Sequence, residues 1–199
     1  DEKTLITNAQ KPAKFLGFDI FIRRSNDLRK DINGKTIRSL GHVPVLYLNY
    51  ETMRKKLFDY KAARIAVENG KEIWKSIVRT YMIDLDDLEI VSQFNAEIRG
   101  FYNYYSIANN SPAINSFYHI MSYSMYKTFA RKYKSSVKKI LFQYKKDGTF
   151  KVAYENSKGK TLYQSFYHDG FKRKKIAGAT SCDTIPRTVT ITGGRNSLM

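Results

Sequence analysis

The segment beginning at Asp84 restricts the fold more than any other part of the chain. Phe94, Ile98, Phe101, Tyr105 and Ala108 recur at steps of four, three, four and three, which places them on one face of an α-helix that must be buried. Asp84-Leu85-Asp86-Asp87 stands ahead of them. An aspartate accepts the free N–H groups of a first turn, and further acids favour the positive end of the helix dipole, so this cluster predicts a helix start. Asn109-Asn110-Ser111-Pro112 predicts the end of that helix and the start of the next, where proline is acceptable in the first turn. A longer helix is expected over 112–144, with Tyr126, Phe129, Tyr133, Val137, Ile140 and Tyr144 as its apolar stripe. Lys127, Arg131, Lys134 and Lys138 form a basic stripe beside it, and residues 121–146 contain no acid. Such a row repels itself unless an anionic partner lies against it, although a basic row can also be a solvated face.

Shorter elements surround this helical part. Residues 14–22, KFLGFDIFI, read as one strand, Asn33-Gly34 as a turn region and Val43–Leu48 as a second strand. Met53, Leu57 and Tyr60 predict a short helix that ends before a basic stretch around Arg64 and a break at Asn69-Gly70, and Trp74, Ile77 and Val78 a further helical turn or two. Asp147-Gly148 is expected to end the long helix, and 150–154 with 161–167 to form a β-hairpin. Lys172, Arg173, Lys174 and Lys175 follow, and residues 181–199 read as an extended linker. The expected fold class is α+β, mainly α.

The charge balance narrows the partners. Among 199 residues, 35 Lys and Arg stand against 18 Asp and Glu, a net charge of +17, with an isoelectric point near 9.8. Such a surface attracts polyanions, nucleic acid first, because binding releases counterions condensed on phosphates. A membrane is the weaker candidate: no apolar run approaches the roughly 18 residues of a span, and the mean hydropathy is −0.49. Cys182 is the single cysteine, so the chain can form no internal disulfide and no multi-cysteine zinc site. Asp1-Glu2-Lys3-Thr4 lacks the basic start and apolar core of a signal peptide and reads as a piece of a longer protein.

Few residues suggest chemistry. The four-residue acidic cluster resembles a Mg²⁺-binding carboxylate pair, but its place before an amphipathic run favours a helix start. His42, His119 and His168 lack partners at metal spacing, and His119 reads as a packed helical histidine. Binding features are stronger. A basic helix interleaved with tyrosines suits RNA or single strands, since cations neutralise phosphates and aromatic faces stack on bases. In Ile98-Arg99-Gly100-Phe101-Tyr102-Asn103-Tyr104-Tyr105, the residues Ile98, Phe101 and Tyr105 belong to the buried stripe, while Arg99, Tyr102 and Asn103 project from another side.

These motifs together resemble the C-terminal part of a group II intron-encoded reverse transcriptase, or maturase. Glu2-Lys3-Thr4-Leu5-Ile6-Thr7 and Ala13-Lys14-Phe15-Leu16-Gly17-Phe18-Asp19-Ile20 are similar to the end of that family's palm. Arg99-Gly100, Asn103-Tyr104-Tyr105 and Ala108-Asn109 resemble its thumb, or X, motif. Ser124 with Thr128-Phe129-Ala130-Arg131-Lys132-Tyr133-Lys134 resembles its S-x-x-x-TLA-x-K element, with Phe129 where Leu is usual. Asp183-Thr184-Ile185-Pro186 and Gly194-Arg195-Asn196-Ser197-Leu198 resemble the approach to its DNA-binding and endonuclease region.

The resemblance implies four parts: the end of the palm at 1–48, a three-helix thumb at 49–146, a hairpin and basic extension at 147–180, and a linker at 181–199. It implies a primer grip at Phe15, Leu16, Gly17 and Phe18. RNA contacts are expected from Arg99, Asn103, Lys127, Arg131, Lys132, Lys134, Lys138, Lys139, Lys172, Arg173, Lys174 and Lys175. The polymerase carboxylates, a YADD motif, are expected upstream of Asp1, so this chain would hold no catalytic residue, metal or cofactor, and Mg²⁺ would belong to the polymerase site of the full-length protein. Implied partners are intron RNA, template–primer, the rest of the reverse transcriptase and, through the full-length protein, target DNA. The implied location is the bacterial cytoplasm or an organelle. A self-sufficient DNA-binding or nuclease domain and a protein-binding structural domain are the alternatives.

Replacing Lys127, Arg131, Lys134 and Lys138 by Gln is expected to flatten the slope of log RNA affinity against log salt by about three to four units without unfolding the chain. A salt titration of each protein checks it.

Overall fold

The computed structural model describes residues 8–23, 28–38 and 43–174. Where one strand is expected over 14–22 there is a hairpin: β1 (Ala13–Phe15) and β2 (Phe18–Arg23) pair antiparallel, with Phe15 opposite Phe18. Leu16 and Gly17, at φ 50° and 80°, form the two-residue turn, whose twist suits paired strands. β3 (Leu28–Lys30) and β4 (Thr36–Arg38) flank the turn at Asn33-Gly34, where Asp31 accepts the N–H groups of Asn33 and Lys35. β5 (Val43–Leu48) matches its expected bounds and completes a sheet of order β1-β2-β5.

Asn49 then caps α1 (Tyr50–Asp59) by accepting the N–H of Glu51 at 2.7 Å. The next stretch departs from expectation. It is not helical around Trp74 but forms a second hairpin, β6 (Ala63–Glu68) and β7 (Lys71–Ser76), turning at Asn69-Gly70 with φ 52° and 74°. Asn-Gly between β-branched runs is the strongest short hairpin signal, and it outweighs a few apolar residues at helical steps.

α2 (Asp87–Tyr105) begins where the acids predict, with Asp86 at the N-cap and its backbone N–H donating to Glu89 at 3.3 Å. Phe94, Ile98, Phe101, Tyr105 and Ala108 are all buried. The long helix expected over 112–144 is two: α3 (Ile114–Lys132), preceded by one 3₁₀ turn at Ser111–Ala113, and α4 (Val137–Tyr144). Lys134 takes φ 46°, the Ser135 N–H returns to the Ala130 carbonyl, and the Ser136 side chain accepts the Lys139 N–H to start α4. The left-handed Lys134 thus ends one helix and the Ser136 side chain caps the next, neither of which the apolar stripe reveals. β8 (Lys145–Lys146), β9 (Thr149–Glu155) and β10 (Thr161–Ser165) form the last sheet. The fold is α+β, but helix and strand contribute comparable lengths rather than mainly helix.

The core lies between α2, α3 and the β9–β10 hairpin. Phe101 stacks on Phe117 at 4.1 Å, and Phe150 meets Phe129 at 5.1 Å and Tyr144 at 5.2 Å. Buried Asn95 donates to the Ser165 carbonyl and accepts the Tyr167 N–H. Asn109 and Asn110 do more than end α2. Asn109 pairs its backbone N–H with the Leu46 carbonyl, its side chain accepts the Leu46 N–H, and Asn110 bonds both polar groups of Leu48. They satisfy the open edge of β5 and bind the first sheet to the helices.

Arg79, fully buried just before α2, lies 4.0 Å over the Phe94 ring, with Nη2 2.7 Å from Glu97 Oε2. That contact is off the N–H line, and Arg79 Nε has no partner, so attraction of charge in a dry site carries it. Glu97→Leu is expected to lower the unfolding free energy by about 3 to 5 kcal/mol, because it leaves a buried cation unpaired. Arg79→Met combined with Glu97→Leu is expected to recover most of that loss, as urea denaturation of the three proteins would show.

Candidate nucleic-acid interface

The S-x-x-x-T-x-x-x-K positions on α3 are one turn apart, and each fastens the segment that leads into α2. Ser124 Oγ donates to the Ile77 carbonyl at 2.7 Å, Thr128 Oγ1 accepts the Arg79 N–H at 3.1 Å, and Lys132 Nζ donates to the Leu85 carbonyl at 2.6 Å. Lys132 also pairs with Asp87 Oδ1 at 2.7 Å, and Asp87 accepts hydrogen bonds from the Tyr133 and Tyr144 hydroxyls. Burial, with its hydrogen bonds to Tyr133 and Asp87, pushes the Tyr144 hydroxyl well above its usual range, so it stays a donor. Lys132, expected to meet RNA, is therefore committed inside the fold. Asp87 serves this clamp and Asp86 the helix start, and among the described residues no group of three His, Cys, Asp or Glu is placed to hold a metal.

The other α3 cations have different neighbours. Lys127 is half-buried and donates to the Ser76 carbonyl at 2.7 Å, which anchors α3 to β7. Arg131 and Lys134 are exposed and line a groove with Lys127. Lys138 and Lys139 are exposed on α4, so the break between the helices interrupts the row. Following α3 toward its start, steps of four lead from Arg131 and Lys127 to Tyr123 and His119. His119 is exposed, its ring 4.7 Å from that of Tyr123, and not packed as expected. Across from this face, the β6–β7 hairpin contributes Arg64, Trp74 and Lys75 to the same groove. Arg64, Arg131 and Lys134 make no ion pair with described residues.

A second basic group gathers around the end of α2. Tyr102, expected to project with Arg99 and Asn103, is buried instead, and its hydroxyl donates to the Lys172 carbonyl at 2.7 Å. The Lys174 N–H meets the Ser106 carbonyl, Arg173 Nε donates to the Ile107 carbonyl at 3.1 Å, and Lys174 Nζ lies 4.8 Å over the Tyr102 ring. Lys172, Arg173 and Lys174 are thus held exposed on the helix that carries exposed Arg99 and Asn103. Lys175 lies outside the described residues, as do His42 and Cys182.

The turn at 15–18 meets the same helix from the other side. Phe18 is buried and packs on Tyr104 and Tyr105 at 5.6 and 5.0 Å, while the Tyr104 hydroxyl donates to the Leu16 carbonyl at 3.0 Å. Phe15 and Leu16 are 60% and 66% exposed, so only the tip can touch a ligand.

With this arrangement of cations and aromatics described, the comparisons identify it. A family model described as type II intron maturase matches residues 48–180. This chain belongs to that family. It is similar to the group II intron-encoded protein LtrA of Lactococcus lactis subsp. cremoris, 37% identical over 161 residues that make up 80% of this chain and 26% of that protein. It is also similar to a putative COX1/OXI3 intron 1 protein of Saccharomyces cerevisiae, 33% identical over 146 residues, 67% of this chain and 16% of that one. The chain spans about a quarter or less of these relatives' lengths.

In this maturase segment the matched region includes the clamp on α3 and the groove beside it, and the 15–18 turn precedes it. Arg64, expected only as part of a basic stretch, and Trp74 and Lys75, expected near a helical turn, are brought to the groove by the hairpin, which the expected elements do not include. Asn69-Gly70, with Ala63, Ile65 and Val67 alternating ahead of it, was the signal that could have found them. Gly17 has a clear structural reason: a Cβ there would lie 2.5 Å from the Tyr105 hydroxyl, at a φ of 80°. Gly17→Ala is expected to destabilise the chain by roughly 1 to 3 kcal/mol. Adding Tyr105→Phe removes the clash but not the backbone strain, so thermal denaturation is expected to show only partial recovery.

Proposed function

We propose that this segment is the RNA-binding maturase and thumb portion of a group II intron reverse transcriptase, which binds intron RNA to assist splicing and holds template–primer during reverse transcription. The observation that carries this reading is the exposed cations that border the groove from both sides, Arg64 on β6 and, on the α3 side, Arg131 and Lys134, none ion-paired with a described residue, with the rings of His119 and Tyr123 beside them. Cations without acids supply phosphate binding, and neighbouring rings supply contact with bases or sugars. Family membership and the names of the relatives support the intron as the RNA source.

In this reading residues 1–48 complete the palm, with the exposed tip at Phe15 and Leu16 beside the primer end and Gly17 setting the turn. Residues 49–146 form the thumb, 147–180 the basic extension, and 181–199 lead toward a DNA-binding region. Arg99, Asn103, Lys172, Arg173 and Lys174 make a second phosphate-contacting patch, and Lys138 and Lys139 contact RNA from α4. Lys127 acts in both roles, holding β7 and facing the groove. The polymerase carboxylates and their Mg²⁺ come from the rest of the reverse transcriptase, and target DNA is met through the full-length protein. The place of action follows the intron transcript, the cytoplasm in a bacterium or an organelle otherwise. Among the described residues no helix is long and apolar enough to cross a membrane.

Changing Arg64, Arg131 and Lys134 to Gln together is expected to reduce the salt slope of RNA binding by about two to three units. Lys132→Gln is expected to leave the slope nearly unchanged and lower the melting temperature, since its charge is spent on Asp87. Fluorescence-anisotropy titrations over a range of salt concentrations separate the two effects, and an unchanged slope in the triple variant would count against the reading.

A further inference from the structure

Two adjoining cavities open between the β6–β7 hairpin and the outer face of α3, and Trp74, His119 and Ile120 form the wall common to both. One is ringed by the cations Arg64, Lys75 and Lys127. Arg64 and Lys75 are cross-strand partners, a placement of like charges that is unfavourable until an anion joins them. Glu68 pairs with Lys75, and Arg64 has no acidic partner among the described residues.

The other cavity is walled by rings. Tyr50 stacks on Trp74 at 4.2 Å with 29° between the planes. The indole N–H donates to Glu72 at 2.9 Å, and Glu72 also accepts from Arg54 at 2.9 Å, which fixes the ring by its edge. Opposite stands His119, and the exposed Tyr123, one helical turn further along α3, lines the first cavity. Ring surface therefore lies beside a cluster of positive charge.

A paired base hides both of its faces within the stack and shows the protein only edges and backbone, so aromatic walls have little to grip on a duplex. An unpaired nucleotide offers a free face and a phosphate together. We infer that the groove between β6–β7 and α3 takes an unpaired nucleotide of single-stranded RNA, its base against Trp74, His119 and Tyr123 and its phosphate among Arg64, Lys75 and Lys127. This rests on the RNA-binding function proposed above and adds the strand state that the site selects.

Trp74 is the one tryptophan in the chain, so its emission reports from inside the groove. The whole chain is titrated with an oligouridylate, an abasic oligomer of equal length, and a blunt RNA duplex of equal phosphate number. The oligouridylate is expected to quench Trp74 several-fold more than the other two. His119→Ala with Tyr123→Leu, both at exposed positions, is expected to raise the Kd for the oligouridylate about ten- to hundred-fold and leave duplex affinity within about twofold. Equal quenching by the duplex or the abasic oligomer overturns the inference, as does oligouridylate binding that leaves Trp74 emission unchanged or a variant with unaltered Kd. If that variant fails to fold, the three-probe comparison on the unmodified chain decides alone. No binding by any probe overturns the RNA-binding function itself, a result distinct from binding without quenching.

Discussion

Everything in the helical part is arranged around one buried cation. Arg79 sits with no exposed side-chain surface between α2 and α3, facing Glu97 and lying over Phe94. A charge removed from water costs several kcal/mol unless a counter-charge and well-placed dipoles replace the solvent. That requirement fixes the path of the chain on both sides. The Arg79 backbone donates to Thr128, Ser124 holds Ile77 just before it, and Lys132 holds Leu85 just after it. The segment from 77 to 87 is laced along three successive turns of α3, and the β6–β7 hairpin is thereby set against the outer face of that helix.

This lacing explains why a motif rich in Lys and Arg is only partly a binding surface. Ser124, Thr128 and Lys132 face inward along one line of α3 and are consumed by the fold, whereas His119, Tyr123, Lys127 and Arg131 follow a neighbouring line that borders the groove. Phe129 is fully buried against Phe150 and Tyr144, so its ring is absorbed by aromatic packing. A second linkage joins the first sheet to the helices, through Asn109 and Asn110 on the edge of β5 and through Tyr104 and Tyr105 under the 15–18 turn.

Two short stretches depart from the expected helix for the same physical reason. Around Trp74 and at 133–136 a few apolar residues keep helical spacing while local chemistry, the hairpin turn at Asn69-Gly70 in one case and Lys134 with the Ser136 cap in the other, favours a different backbone path. Periodicity over so few residues is a weak constraint, and backbone preference prevails. Tyr102 shows the opposite effect: it lies outside the main stripe of α2, yet the 172–174 segment folds over it and buries it.

The sequence alone determined the start, face and end of α2, the capping of that helix by acids, the turn at Asn33-Gly34, the strand Val43–Leu48 and the strong positive charge, because each depends on residues within a few turns of one another. It also determined the family, through short motifs in a conserved order of resemblance. Only the tertiary structure decided which cations are spent. Lys132 looks like Arg131 in sequence, but one ends in an ion pair with Asp87 45 residues away and the other in an open groove. Solvent exposure is set by which distant segments pack together, and local spacing does not contain that information.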